Sequence, residues 1–281
     1  MFSIGKLTAV GVGLIGGSVA LAARRRGVAA RVVGVDCRPE ALARAQERGM
    51  TDETTEDLAA GVAGAEVVVF CTPVDHIAAG VLAAAPHCRR GALLTDAGST
   101  KAAILRELDG RLPPGVNFVG AHPLAGSEKQ GPEHARADLF EGSLVVLTPP
   151  SPSDDNALSR ARAFWEALGA RVELMGAEEH DRALALTSHL PHLAAAALAG
   201  LVPQELLGLT ATGFRDTTRL ASGDPALWAG IFLSNRAAVL AALERLGGQL
   251  ERFRQALAAG DREEVEALLR QGKQVRDGLA R

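Results

Sequence analysis

The segment Gly11-Val12-Gly13-Leu14-Ile15-Gly16 has the spacing of a turn whose backbone N–H groups, with the positive end of a following helix, cradle a pyrophosphate. About twenty residues beyond Gly16, Asp36 is placed to accept hydrogen bonds from a ribose 2′-hydroxyl and to repel a 2′-phosphate, which favours NAD over NADP. Arg38 pulls the other way, because a nearby arginine can accept that phosphate. A plain tight turn with Asp36 capping the helix ahead of Pro39 is the structural alternative. If a dinucleotide takes a hydride from an alcohol here, the hydroxyl proton must leave too, and histidine is the side chain suited to accept it near neutral pH. His122, at a strand end with Pro123 behind it, is the first candidate. Ser99 could orient the imidazole or the hydroxyl, or simply cap a helix. Arg219 has the planar fork for a carboxylate, unless it only pairs with Asp216.

These residues need a scaffold that brings strand ends together. Short β-rich runs alternate with Ala/Leu/Arg-rich stretches up to about residue 175, the pattern of a parallel sheet with crossover helices. Strands are predicted at Leu7 to Val10, Arg31 to Val35, Val67 to Cys71, Ala92 to Thr95, Asn117 to Gly120, Leu144 to Thr148 and Arg171 to Met175. Most are continuous apolar runs, as expected of strands covered on both faces. Arg24, Arg25 and Arg26 close the first helix before Gly27, where cations complement the helix dipole. Ligands in such sheets bind outside the carboxyl ends of the strands. Cys71-Thr72-Pro73, Asp96-Ala97-Gly98-Ser99-Thr100-Lys101 and Ala121-His122-Pro123 follow three successive strands and converge there.

Beyond Ala177 the strand pattern disappears and the chain reads as helical. The expected fold class is α/β, a Rossmann-type doubly wound, mostly parallel sheet over residues 1–175, followed by an all-helical substrate-binding and dimerisation domain over residues 176–281. That helical region concentrates polar groups in His180-Asp181, Ser188-His189-Leu190-Pro191-His192 and Arg215-Asp216-Thr217-Thr218-Arg219. His189 and His192 are three apart, yet Pro191 disturbs the turn between them and no third ligand stands out, so no metal site is expected.

Composition narrows the partners. The 281 residues carry a formal net charge of -3, which offers no global attraction for nucleic acid or an anionic membrane. Cys37, Cys71 and Cys88 are odd in number and widely spaced, fitting neither a disulfide framework nor a zinc site, as in a reducing cytoplasmic compartment. The apolar stretch Leu7 to Ala23 is interrupted by the glycines of the turn and does not read as a signal peptide. Leu193 to Val202 is about half of the ~20 residues that span a bilayer, so no membrane span is expected.

Taken together, Gly11-Val12-Gly13-Leu14-Ile15-Gly16-Gly17-Ser18, Cys71-Thr72-Pro73, Asp96-Ala97-Gly98-Ser99-Thr100-Lys101, His122-Pro123-Leu124-Ala125-Gly126-Ser127-Glu128, Ser188-His189-Leu190-Pro191-His192 and Gly213-Phe214-Arg215-Asp216-Thr217-Thr218-Arg219 resemble the prephenate (cyclohexadienyl) dehydrogenase family. The resemblance implies NAD-dependent oxidative decarboxylation of prephenate to 4-hydroxyphenylpyruvate on the way to tyrosine. Arogenate as substrate and a non-catalytic NAD-sensing protein are the alternatives; a lysine-dependent imine reductase or dehydrogenase would need a catalytic lysine that Ala177 to Leu227 does not contain. By motif match, His122 takes the hydroxyl proton and Ser99 bonds that hydroxyl and the histidine, while Arg219 binds a substrate carboxylate. Ser188, His192 and Ser127 line the pocket, and Glu128, His180 and Asp216 form a polar network that controls access and supports the arginine. Gly11, Gly13, Leu14, Ile15, Gly16, Asp36, Arg38, Cys71, Thr72 and Pro73 hold the cofactor. The helical region is expected to build a homodimer, with Trp228 reaching towards the neighbour's site. With no length left for an appended regulatory or chorismate mutase domain, inhibition by tyrosine is expected at the active site itself.

Overall fold

A computed structural model describes residues 2–126, 129–150 and 154–279. Eight strands form one sheet: β1 (Ile4–Val10), β2 (Ala29–Val35), β3 (Glu53–Thr55), β4 (Val67–Phe70), β5 (Leu93–Asp96), β6 (Asn117–Pro123), β7 (Leu144–Thr148) and β8 (Arg171–Leu174). Their order is β3-β2-β1-β4-β5-β6-β7-β8, and every pair is parallel except β6 with β7. The helices α1 (Leu14–Arg25), α2 (Pro39–Glu47), α3 (Leu58–Val62), α4 (Val74–Ala84), α5 (Ala102–Leu108) and α6 (Asp155–Ala167) lie between the strands in sequence. The mostly parallel α/β architecture read from the apolar runs is therefore present.

Both faces of the central strands are buried, for a reason visible in β4. Its alternate residues Val67 and Val69 enter one apolar cluster, with α1 and α6 residues Val19, Ala23, Phe164 and Trp165. Val68 and Phe70 enter the other, with Ile77, Val81 and Ile104 of α4 and α5. A continuous apolar run is what a strand needs when each face has its own core. At the other extreme, β3 is three residues, Glu-Thr-Thr, on the sheet edge, and its polar composition explains why it is missing from the predicted strands.

Strand order reverses at β1, whose neighbours are β2 and β4, so a crevice opens between the ends of β1 and β4. The antiparallel partner β7 changes the end of β6. Asn117 to Val119 pair with β5, but Gly120 to Pro123 pair with Thr148 to Val145 of β7. His122 thus sits within a strand rather than in the turn after it, because β7 supplies ladder partners beyond the reach of β5.

After β8 the chain is helical: α7 (Ala177–Leu184), α8 (Leu190–Gly200), α9 (Thr212–Thr218), α10 (Pro225–Ser234), α11 (Arg236–Ala259) and α12 (Arg262–Gly278). A π-helical turn over Ala185–His189 joins α7 to α8. Proline lacks an N–H and its ring crowds the preceding turn, so the widened π-turn just before Pro191 lets one continuous helix pass the proline. By length and composition Ala177–Gly200 suffices to cross a bilayer. Its buried His180, Asp181, His189 and His192 make it instead a helix packed through polar contacts within the protein.

Two compact units are distinguished by their internal packing, Met1–Asn235 and Arg236–Arg281. The helices α7 to α10 thus pack in one unit with the sheet. The second unit is the hairpin of α11 and α12, turned at Gly260 (φ +66°) and capped by Asp261, which accepts the Glu264 N–H. Arg252 and Glu264 pair across it at 2.9 Å.

Candidate active site at the carboxyl ends of the strands

The turn after β1 is shaped by steric demands that only glycine meets. Gly11 has φ +87°, and a Cβ on it would lie 2.8 Å from the Cys71 carbonyl oxygen; one on Gly16 would fall 1.8 Å from the Gly11 oxygen. Gly13 is different, since a Cβ there would meet no protein atom within 4 Å. Fold packing accounts for Gly11 and Gly16, whereas Gly13 borders open space at the N-terminus of α1. No side chain caps that helix end, and no acid lies in its first turn, so its N–H groups remain available to an anion. Leu14 and Ile15, both half-buried, open the helix. On the other side of the crevice Pro73 precedes α4, and the Thr72 hydroxyl is buried with no hydrogen-bond partner among the described residues. The Cys71 thiol is held far above its ordinary range by burial, reinforced by the Asp96 charge, and is chemically inert.

Asp36 ends β2 as expected and is nearly buried. One carboxylate oxygen accepts the Val12 N–H at 3.1 Å, which ties it to the glycine turn. The Arg38 backbone N–H (3.0 Å) and guanidinium (3.1 Å) engage the other oxygen. Arg38 therefore partners Asp36 directly, and its own side chain stays exposed. A ribose diol reaching Asp36 would compete with that guanidinium.

The second part of the site is built from side chains distant in sequence. His122 Nδ1 lies 2.9 Å from His180 Nε2, and His180 Nδ1 lies 2.8 Å from Asp181 Oδ1. The Asp181 carboxylate accepts the backbone N–H groups of Lys101 (2.8 Å) and Ala102 (2.9 Å), which begin α5. Burial raises the affinity of Asp181 for a proton, yet the His180 bond and those two N–H groups together hold it below the usual carboxylate range. Beside them Lys101 and Asp96, both buried, form an ion pair. Asp96 also accepts the N–H groups of Ala121 and Gly98, both at 2.9 Å, and so fixes the backbone next to His122. Burial pulls the Lys101 ammonium down, with Asp96 opposing.

His122 is 8% exposed, and its affinity for a proton is far below that of a free imidazole, first through burial and then through His180, Lys101 and His189. It is neutral at pH 7 and can accept a proton. His189 is fully buried and pushed down to about 4 by burial; its Nδ1 is 3.2 Å from Asn235 Nδ2, and its Nε2 has no partner among the described residues. His192 is buried and lowered for the same reason, with an unpartnered Nδ1 and its ring stacked on Trp228 at 3.6 Å.

Several expected placements change. His180 is fully buried between His122 and Asp181 and bonds directly to His122. Ser99 makes no hydrogen bond to His122 among the described residues; His180 takes that place. Nor does Ser99 cap α5, whose cap position is Lys101. Asp216 and Arg219 are both exposed, and Asp216 forms no ion pair among the described residues. Ser188 is half-buried on the π-turn. Trp228 stacks on His192 of its own chain. Ser127 and Glu128 lie outside the described residues. No cluster of three metal-ligating side chains occurs among the described residues. The structure adds Asp181, Lys101 and Asn235 to the site; Asn235 carries no spacing signal in the sequence, whereas Lys101 ends the Asp96–Lys101 segment and Asp181 adjoins His180.

A dinucleotide turn, a strand-end histidine and a following helical region define the class, a dinucleotide-dependent dehydrogenase fold. The description "Prephenate dehydrogenase, nucleotide-binding domain" matches residues 19–174, and "Prephenate dehydrogenase, dimerization domain" matches residues 176–271. A cyclohexadienyl dehydrogenase of Zymomonas mobilis is 36% identical over 90% of this chain and 88% of its own. A prephenate dehydrogenase of Bacillus subtilis is 34% identical over 96% and 74%. The crystal structure of prephenate dehydrogenase from Aquifex aeolicus in complex with hydroxyphenyl propionate and NAD+ superposes with a TM-score of 0.91, at 32% identity and over 99% of both chains. The chain belongs to the prephenate dehydrogenase family.

Proposed function

We propose that this protein is an NAD-dependent prephenate dehydrogenase that oxidises and decarboxylates prephenate to 4-hydroxyphenylpyruvate, the step that leads to tyrosine. The observation that carries the reading is a neutral, buried His122, hydrogen-bonded to His180 and placed at the carboxyl end of β6, on the same edge of the sheet as the glycine turn that follows β1. Gly11, Gly13 and Gly16 let the cofactor pyrophosphate approach the N-terminus of α1, and Asp36 takes the ribose hydroxyls once Arg38 yields. Leu14, Ile15, Cys71, Thr72 and Pro73 line the cofactor side of the crevice, with the Thr72 hydroxyl still able to take a partner. NAD supplies the acceptor for the hydride of the ring C4. His122 removes the 4-hydroxyl proton and can return it to the phenol oxygen after carbon dioxide has left and the ring has become aromatic.

Ser99 sits half-buried before α5, where its hydroxyl can bond the substrate hydroxyl. Arg219 binds a substrate carboxylate through its guanidinium fork, and Ser188 lines the pocket. His192, stacked on Trp228, offers the unpartnered Nδ1 to the pyruvyl side chain of prephenate, and a ligand bearing an ammonium there gains less from it. Asp216 borders the substrate site in this reading. The division of labour falls near residue 175, with the cofactor on the sheet side and substrate selection on the helical side. Apolar side chains such as Leu201 (77% exposed) and Leu209 (81% exposed) support a homodimer through the helical region. The free thiols of Cys37, Cys71 and Cys88 fit work in the cytoplasm.

NADH formation followed at 340 nm, with prephenate and arogenate in parallel and NAD against NADP, tests the reading. Turnover of prephenate with NAD is the expected result. Faster turnover of arogenate would move the substrate assignment, and bound NAD without turnover of either substrate would overturn the enzymatic reading.

A further inference from the structure

The two hydrogen bonds that run from His122 into the protein leave little freedom for protons. An ionised carboxylate can only accept, and Asp181 Oδ1 is 2.8 Å from His180 Nδ1, so that nitrogen carries the hydrogen. With a single N–H on His180, taken up by Asp181, its Nε2 is left with a lone pair. His122 Nδ1, 2.9 Å away, must then be the donor. The remaining nitrogen of His122, Nε2, holds a lone pair and has no protein partner among the described residues. Asp181 itself is locked, because its two oxygens accept the N–H groups of Lys101 and Ala102 at the start of α5. Asn235 adds a second tie: its Nδ2 donates to the Asp181 carbonyl oxygen at 2.7 Å and lies 3.2 Å from His189 Nδ1. A backbone carbonyl only accepts, so Nδ2 is the donor in both contacts, and neutral His189 carries its proton on Nε2.

We propose that His180 and Asp181 are positioning residues that hold His122 in its Nδ1–H form, so that the base of the reaction is its Nε2, and that α5 is the anchor of this chain. The proton of the substrate hydroxyl goes to Nε2 as the O–H bond breaks, giving an imidazolium. Its Nδ1–H remains directed at His180, through which the Asp181 carboxylate stabilises the new positive charge. When the ring carboxylate departs as carbon dioxide, its bonding electrons enter the ring, and the resulting phenolate oxygen can take the Nε2 proton back. The two amino acids between the base and the helix end move no substrate atoms themselves.

The first test needs no variant: long-range 1H–15N spectra of the whole protein labelled at histidine nitrogen report which ring nitrogen carries each proton. Nδ1–H for His122 and His180 with Nε2–H for His189 is the expected pattern, and Nε2–H at His122 would overturn the proposal. Two kinetic arms follow, and these rest on His122 being the base as proposed above. Asp181→Asn keeps the shape but removes the negative charge at the end of the chain and sets an amide N–H against a backbone N–H of α5; kcat should fall by about 10²-fold, less than on loss of His122 itself, with the KM for prephenate and NAD affinity within a few-fold. His180→Gln, whose amide oxygen can still accept from His122 Nδ1, should keep kcat at least tenfold above that of His180→Leu. Equal kcat for the two His180 variants, or an Asp181→Asn enzyme with normal kcat, would sink the positioning role. A wild-type protein with the expected spectrum and no turnover would instead count against the dehydrogenase reading alone, since the spectrum reads the tautomers without catalysis.

Discussion

The cofactor turn and the proton-handling cluster both lie at the carboxyl ends of the parallel strands but are made in opposite ways. The turn is a local object: Gly11, Gly13 and Gly16 lie within six residues, and their demands are backbone demands, a positive φ at Gly11 and a close approach at Gly16. The cluster is assembled from the end of β6, the start of α5 and a helix some sixty to eighty residues further on, through contacts such as His122 with His180 and Lys101 with Asp181. Local geometry is robust to changes elsewhere and intolerant of a side chain at Gly11 or Gly16. The assembled cluster tolerates isosteric change and depends on every partner being in register. Substitutions in the two regions should therefore separate cofactor affinity from catalytic rate.

The largest effect is expected at His122. His122→Asn should lower kcat by about 10²- to 10⁴-fold while NAD affinity, measured by fluorescence titration, stays within twofold; a matching loss of affinity would erase the distinction between the two regions. Gly16→Ala should show the reverse. Its Cβ would overlap the Gly11 carbonyl oxygen, so the turn must open, and the NAD dissociation constant should rise about a hundredfold with kcat at saturation largely kept.

Acid should weaken the cluster before the turn. His189 is neutral and held at about 4 against about 6.5 when unfolded, so the unfolded chain binds the extra proton first as pH falls. Its contribution is fully present above pH 6.5 and is lost progressively down to about pH 4. Between pH 7 and pH 5 that amounts to about 2 kcal/mol, roughly twentyfold in the folding equilibrium. Urea unfolding at the two pH values reads it, and His189→Gln should shrink the difference; an unchanged pH dependence would show that His189 is not the group responsible.

Arg219→Gln should raise the KM for prephenate about tenfold with a smaller change in kcat, and an unaltered KM would remove the carboxylate contact. The smallest shift is expected at the ribose. Asp36→Ala should narrow the preference for NAD over NADP by a few-fold and free the Arg38 guanidinium, so an unchanged ratio would mean that Asp36 serves only the turn it bonds through Val12.

Sequence by itself determined the part of this protein whose rules are local. Continuous apolar strands such as Val67-Val68-Val69-Phe70 announce a sheet buried on both faces, the glycine spacing announces the turn, and Asp36 follows at the end of the next strand. The motif residues also led to His122 and to the polar stretch from His180 to His192, although not to what these residues touch. Tertiary structure decided the rest. The pairing of β6 with antiparallel β7 drew His122 into a strand, and the π-turn before Pro191 kept α7 and α8 continuous, with His180, His189 and His192 all buried. Packing then set His180 between His122 and Asp181. The physical reason is range: a glycine's φ or a strand's alternation is written in neighbouring residues, whereas a buried polar side chain takes its role from partners that only the folded chain supplies.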